Sequence, residues 1–158
     1  MTLDVDHAAL NELYRYWDFK RAGRDMPARA DLDPPLDTPH LLPNLMLMDV
    51  LGAPRWLRYR LVGSAVDEQR SGLRVRSLTG RHFDEVDFYA ERDVVLATYR
   101  GVIESRRPHY EKDNFRFDQK RGGRWFWLLL PLSDDARNVA MILAGLFTES
   151  PASRSATS

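Results

Sequence analysis

The sequence predicts an α+β fold with a five-stranded antiparallel sheet, and two observations lead to this prediction. Segments of strand length and composition occur as a pair in the middle of the chain and as a group of three towards its end. They are residues 45–51, 56–62, 110–117, 124–132 and 138–147. Between the two groups, Gly63-Ser64 ends the second strand and opens a helical segment with a short helix at 64–70 and a longer one at 88–106. One helical crossing therefore connects two parts of a single sheet.

Charged side chains identify the edges of this sheet. The first, fourth and fifth strands are apolar at odd and even positions alike, as expected of strands that are covered on two faces. The second and third strands instead alternate with charged residues, which are Arg58, Arg60, Glu111, Lys112, Asp113 and Arg116. When neighbouring strands are joined as hairpins, the predicted order is 2-1-5-4-3, with the helical crossing on one face and the N-terminal helix on the other.

The segment before the sheet divides into a helix and a linker. Residues 1–24 predict an amphipathic helix capped by Asp6, and its apolar positions at helical spacing are Leu10, Leu13, Tyr14 and Trp17. Residues 25–44 are rich in proline and aspartate, which predicts an ordered linker with one short turn at 36–42. The sheet domain then covers residues 45–148, and the Ser/Ala/Thr-rich tail 149–158 is predicted to be disordered.

Composition excludes several classes of function. The 23 Lys and Arg residues balance 23 Asp and Glu residues, so no net charge attracts nucleic acid. The chain has no cysteine, which excludes disulfides, thiolate nucleophiles and cysteine-ligated metals. The acidic N-terminus has no basic and apolar leader, and no apolar run has membrane length. We therefore expect a cytoplasmic protein without a membrane or nucleic-acid partner.

Four short motifs occur in order along the chain, and they are LLPNL at 41–45, YRLVGS at 59–64, LTGR at 78–81 and LLLPLS at 128–133. Together with the predicted strand order, these motifs resemble the PAS fold, and in particular the short, stand-alone bacterial PAS-like proteins. The resemblance implies a sensory or protein-interaction module without catalytic activity. Because cysteine is absent, the chain has neither the flavin adduct of LOV photosensors nor the chromophore attachment of photoactive yellow protein. The cofactor is otherwise left unidentified.

PAS domains usually enclose a cavity between the inner sheet face and the crossing helices. The candidate cavity residues are Tyr59, Leu61, His82, Tyr99, Phe115 and Trp127, and alternation in the second strand predicts Leu57, Tyr59 and Leu61 on one face. These side chains can bind a flat small molecule by stacking and hydroxyl hydrogen bonds, or they can simply fill the core. Strand parity does not decide between the two roles.

His82 lies in an acidic segment just before the long predicted helix. In a haem-binding relative it can serve as an axial ligand, whereas elsewhere such a histidine is a hydrogen-bonded loop residue, and haem is not expected here. His82, Asp84 and Asp87 are residue types that bind metals, but their spacing matches no metal-loop pattern. No metal site is predicted, and the acidic residues favour the positive end of a helix dipole.

Two basic clusters are candidates for a phosphate or nucleotide ligand. They are Arg70, Arg74, Arg76 and Arg81 in the crossing, and Lys120, Arg121 and Arg124 in the hairpin before the fourth strand. Arginine binds phosphate through two parallel hydrogen bonds. The alternative is a solvated charged face, which the equal number of acidic residues favours, and no Walker-type loop follows any strand.

The sheet face opposite the crossing is too apolar to be exposed to water. The residues expected there are Phe126, Leu128, Ile142 and Ala144. We expect the N-terminal helix to cover them, packed within its own chain or exchanged with a second copy. PAS domains commonly dimerise in this way, so the prediction is a homodimer.

Three functions remain open at this stage. The first is a non-enzymatic sensory or adaptor module that signals through a partner protein docked on strand 110–117 or on the Arg-rich segment. The second is a small cone-shaped α+β enzyme acting on a hydrophobic molecule, with Tyr59 and Asp49 in its pocket. The third is a structural dimer without a cavity. Because the helical block interrupts the sheet, the order of elements favours the first over the second.

Overall fold

The computed structural model describes residues 3–69, 77–86, 92–116 and 122–149. Five strands form one antiparallel sheet, and they are β1 (Leu45–Gly52), β2 (Trp56–Val62), β3 (His109–Arg116), β4 (Gly122–Leu132) and β5 (Met141–Glu149). Their order is β2-β1-β5-β4-β3. The predicted α+β class and strand order are confirmed, with the two charged strands at the edges.

Helices precede and interrupt the sheet. The α-helices are α1 (Ala8–Arg21), α2 (Pro34–Asp37), α3 (Ser64–Gln69) and α4 (Arg92–Ser105). Three short 3-10 helices cover Arg29–Asp31, Pro39–Asn44 and Phe83–Glu85. The linker therefore contains three short helical turns where the sequence predicts one, and the predicted start of the long helix at 88–91 lies outside the described residues. No helix in the described part of the chain is long and apolar enough to cross a bilayer.

Ring contacts and close approaches distinguish the two faces of the sheet. On the inner face, Trp127 of β4 meets Tyr99 of α4, with ring centroids 5.2 Å apart. On the outer face, Gly145 of β5 lies directly beneath α1, because a Cβ atom added there would come within 2.5 Å of the Leu10 side chain. The crossing helix α4 and the N-terminal helix α1 therefore pack on opposite faces.

Three residues lie on faces other than those predicted. Leu61 does not share the inner face with Tyr59, because the register shifts by one residue between the pairs Leu47–Leu61 and Met48–Tyr59. Arg60 forms the bulge, and the bulge turns Leu61 to the outer face. Ile142 does not lie on the outer face, because it pairs with Met48 on the inner side. Ala144 follows Ile142 inward, since alternate residues of a strand share a face.

Helix α1 is bound to the outer face by its buried side chains and by one long-range hydrogen bond. Leu10, Leu13, Tyr14 and Trp17 are all buried. The Trp17 Nε1 atom donates to the carbonyl oxygen of Pro131 in β4, at 2.9 Å. The predicted cap residue Asp6 instead binds edge strand β3, where it accepts hydrogen bonds from Tyr110 and Lys112.

His7 is the residue that caps α1. Its Nδ1 atom accepts a hydrogen bond from the Leu10 backbone at 3.3 Å. Its ring lies 4.7 Å from Phe126 and 4.6 Å from Phe147, measured between centroids. Burial lowers the pKa of His7, and the charges of Glu149 and Asp6 oppose this shift only in part.

We expect the burial of His7 to make stability depend on pH. The unfolded chain binds a proton at the ordinary pKa of 6.5, whereas the folded chain binds it only at lower pH. The contribution of His7 to the free energy of unfolding should therefore be fully present above pH 6.5. This contribution should be lost as the pH falls through the pKa of His7 in the folded chain. Urea titrations between pH 7.5 and pH 5 test this. His7→Asn keeps a capping acceptor but does not titrate, so it should flatten the dependence of stability on pH. If His7→Asn showed the same pH dependence as the wild type, His7 would not be its source.

Candidate ligand-binding site

An apolar cleft of about 240 Å³ lies between the outer face of the sheet and the linker. We call it the linker cleft. Its floor consists of aliphatic side chains from four strands, which are Leu45, Leu47, Leu61, Leu132 and Leu143. Its roof consists of linker residues, which are Arg29, Leu32, Pro34, Pro35 and Leu42. Leu61 is 56% exposed, so the cleft opens to solvent at edge strand β2.

The linker is held over the sheet by hydrogen bonds at both of its ends. The Ser133 amide donates to the Pro27 carbonyl at 3.0 Å. The Asn44 side chain donates to the Leu146 carbonyl at 3.0 Å. At the end of β2, a Cβ atom on Gly63 would lie 2.3 Å from the Pro43 carbonyl oxygen, so only glycine fits. The cleft roof is therefore fixed by its own contacts.

Among the described residues that line the cleft, Arg29 is the one that carries a charge. Its Nη1 atom donates to the Leu32 carbonyl at 2.9 Å, which fixes the guanidinium at the roof. The carboxylate of Asp31 is occupied by the Ala28 amide at 2.8 Å and by Arg24 at 2.9 Å. Hydrogen bonds from Ala28 and then Arg24 hold the pKa of Asp31 below its ordinary value.

A second ionic group lies on the outer face of the β1–β2 hairpin. Asp49 is buried, and it accepts hydrogen bonds from Arg58 at 2.7 Å and from Arg60 at 2.8 Å. Burial alone would raise the pKa of Asp49, but the bonds and charges of the two arginines outweigh it and lower the pKa. Tyr59 lies on the opposite face, so Tyr59 and Asp49 do not share the pocket that the enzyme hypothesis requires.

The candidate aromatic residues of the inner face are buried. Tyr59 is 1% exposed, and the Tyr99 ring contacts those of Phe83 and Trp127 at centroid distances of 5.9 and 5.2 Å. Among the described residues, Phe83, Tyr99 and Trp127 therefore form one packed group of rings. The side chain of Phe115, the remaining aromatic candidate, lies outside the described part.

His82 belongs to an ion-paired group at the edge of β2. Its Nδ1 atom lies 3.0 Å from Glu85. Arg55 binds Asp84 at 2.9 Å and Glu85 at 2.7 Å. The segment before this group runs along β2, where the Tyr59 amide donates to the Arg81 carbonyl at 2.8 Å. In the described ranges no three histidine or acidic side chains are grouped to hold a metal ion.

The structure describes only part of the two basic clusters. Arg70, Arg74, Arg76, Lys120 and Arg121 lie outside the described residues. Arg124 lies over the ring of Phe126, at 5.1 Å from the centroid. Arg81 is exposed next to the β2 edge. The described residues therefore bring no two of these arginines together at one site.

The residues that the sequence analysis assigned to dimer packing make their contacts within a single chain. Leu10, Leu13, Tyr14 and Trp17 cover the outer face, where Leu128 pairs with Gly145 and Phe126 with Phe147. Sequence reasoning missed the linker cleft because its roof is irregular, and a proline-rich segment has no periodicity that reveals which side faces the sheet. The available signal was the row of leucines in strands already expected to be covered on both faces.

A 2-1-5-4-3 antiparallel sheet with the helical crossing between β2 and β3 is the arrangement of a PAS domain, a class of sensory or interaction module. A sequence profile described as PAS domain matches residues 5–147 of this chain. The chain belongs to the PAS domain family. A search of curated proteins finds no match.

Proposed function

We propose that this PAS domain is a non-catalytic sensory module that binds a small ligand in the linker cleft and passes its state to a partner protein. The observation that carries the proposal is the linker cleft itself, an open apolar site whose wall residue Leu61 is 56% exposed. The described inner-face aromatics are packed together, so we place the ligand on the outer face. Clefts lined mainly by apolar side chains with few polar groups are typical of small-molecule sites.

The position of Leu45 supports coupling between the cleft and helix α1. Leu45 lines the cleft, and its Cδ2 atom would lie 3.8 Å from a Cβ atom on Gly145. The same Cβ position lies 2.5 Å from Leu10 in α1. A ligand that shifts Leu45 therefore acts on the surface against which α1 packs. Occupancy of the cleft would change the relative stability of two packings of α1, which is the output of the module.

Native mass spectrometry tests the ligand part of this proposal. Protein purified from its own host should carry a reproducible extra mass under gentle conditions and lose it on denaturation. Leu61→Gln should lose the extra mass, because it puts an amide in the cleft wall. Leu51→Gln is the matched control, since Leu51 is also an exposed strand leucine but does not line the cleft. A clean unliganded mass for the wild type would contradict ligand binding.

We further propose that the module is a homodimer formed through the exposed side of α1. Helix α1 covers the outer face within its own chain, so the apolar sheet face no longer requires a second copy. Phe19 nevertheless remains 78% exposed near the end of this helix. Aromatic residues are enriched in protein interfaces, so Phe19 is the position at which we test this contact.

Light scattering coupled to size exclusion tests the dimer. The wild type should elute as a dimer at micromolar concentration, and Phe19→Ser should shift it to a monomer. Val94→Ser is the matched control, because Val94 is 60% exposed on α4, which packs on the other face of the sheet. A monomeric wild type would contradict the proposal, and so would a Phe19→Ser variant that stays dimeric.

A further inference from the structure

We propose that the linker cleft takes a medium-chain aliphatic carboxylate, with its chain on the leucine floor and its carboxylate bound by Arg29. This inference rests on the proposed function, which it deepens by naming the ligand class. Three properties of the cleft lead to it: the composition of its walls, its size and the charge of Arg29.

The walls favour an aliphatic chain over a flat ring. None of the described residues that line the cleft is aromatic, and the floor consists of leucines from β1, β2, β4 and β5. Flat ligands are usually held by aromatic stacking, which this surface does not provide. Flexible branched side chains instead make many small contacts with a hydrocarbon chain.

The size of the cleft limits the length of that chain. Its volume of about 240 Å³ equals roughly eight water molecules at about 30 Å³ each. A ligand of about eight to ten heavy atoms fills that space. A carboxylic acid with a chain of about eight carbons therefore fits, and a long-chain lipid would extend out of the opening at Leu61.

The charge of Arg29 provides the polar end of the site. One of its donors is used by the Leu32 carbonyl, and within the described ranges no carboxylate lies within ion-pair distance of its guanidinium. The two acids that follow Arg29 most closely in the sequence are engaged elsewhere. Asp31 binds Arg24 and the Ala28 amide, and Asp33 caps α2 through the Leu36 amide at 3.2 Å. A guanidinium with several free donors is suited to a carboxylate.

Calorimetric titration of the full chain with octanoate and octanamide tests the inference. The two probes share a hydrocarbon chain and differ in the charge of the head group. We expect the wild type to bind octanoate about ten-fold more tightly than octanamide. Arg29→Gln should bind both probes equally. Arg15→Gln, which removes an exposed arginine of α1 that does not line the cleft, should keep the preference.

The outcomes separate this inference from the proposed function. Equal binding of the two probes by the wild type would overturn the role of Arg29 while leaving the cleft as an apolar site. A preference that survives in Arg29→Gln would likewise overturn it. Failure of the wild type to bind either probe up to its solubility limit would overturn the aliphatic ligand class, and mass spectrometry of the host-purified protein would then decide whether the cleft holds another ligand.

Discussion

Gly63→Ala is expected to lower the free energy of unfolding by about 3 kcal/mol. The added Cβ atom would lie 2.3 Å from the backbone carbonyl oxygens of both Leu42 and Pro43. Neither oxygen belongs to a flexible side chain, so the linker or the end of β2 has to shift. This shift also opens the roof of the linker cleft, so ligand binding should weaken along with stability. Urea denaturation monitored by tryptophan fluorescence measures the loss.

Gly101→Ala is the matched control for this experiment. Gly101 is an exposed residue of α4, and a Cβ atom there meets no neighbour within 4 Å. The same substitution should therefore stabilise the protein by about 0.5–1 kcal/mol, because alanine favours a helix. If Gly63→Ala were as stable as the wild type, the linker would not pack against β2 as described.

Trp17→Ala is expected to lower the free energy of unfolding by about 3–5 kcal/mol. Trp17 lies on the side of α1 that faces the sheet and is 2% exposed, and its Nε1 atom donates to the Pro131 carbonyl. The substitution removes a large buried ring and leaves that carbonyl without its partner. Trp17→Phe should cost less, about 1–3 kcal/mol, because it keeps most of the ring and loses the hydrogen bond.

Phe19→Ala is the control that shows whether the loss of stability in Trp17→Ala comes from packing against the sheet. Phe19 lies two residues further along the same helix, but it is exposed. Its replacement should change the stability of the isolated chain by no more than about 0.5 kcal/mol, as is usual for surface positions. Equal losses for the two variants would show that α1 does not bind the outer face through Trp17. Measuring at a protein concentration below the dissociation constant of the dimer removes any contribution of dimerisation to the measured stability.

Strand composition made the sheet order predictable, but it left the register open. The edges were evident because charge alternates in β2 and β3, and the central strands were evident because they are apolar at both parities. Because the central strands are apolar on both faces, their sequences do not show which residues face which side of the sheet. Ile142 was therefore assigned to the wrong face, and only its pairing with Met48 corrects it.

Local irregularities account for the other errors. The alternation of Tyr59 and Leu61 is regular in the sequence, and nothing in the residues marks Arg60 as a bulge. Asp6 is a preferred helix cap, but its ion pair with Lys112 on a distant strand leaves His7 to cap α1. The linker cleft forms only where the leucine floor meets the proline-rich roof, and no local pattern encodes a contact between segments so far apart in the sequence.

Methyl NMR of the full chain, labelled at leucine and valine, tests most directly whether the ligand site is the outer-face cleft. The probe is octanamide, so the result does not depend on the charge of Arg29. We predict chemical-shift changes at Leu47, Leu61 and Leu143, which line the cleft, and none at Leu57 or Val102, which are buried elsewhere in the core. No changes at all would overturn only the aliphatic ligand class, whereas changes centred on Leu57 and Val102 would contradict the account.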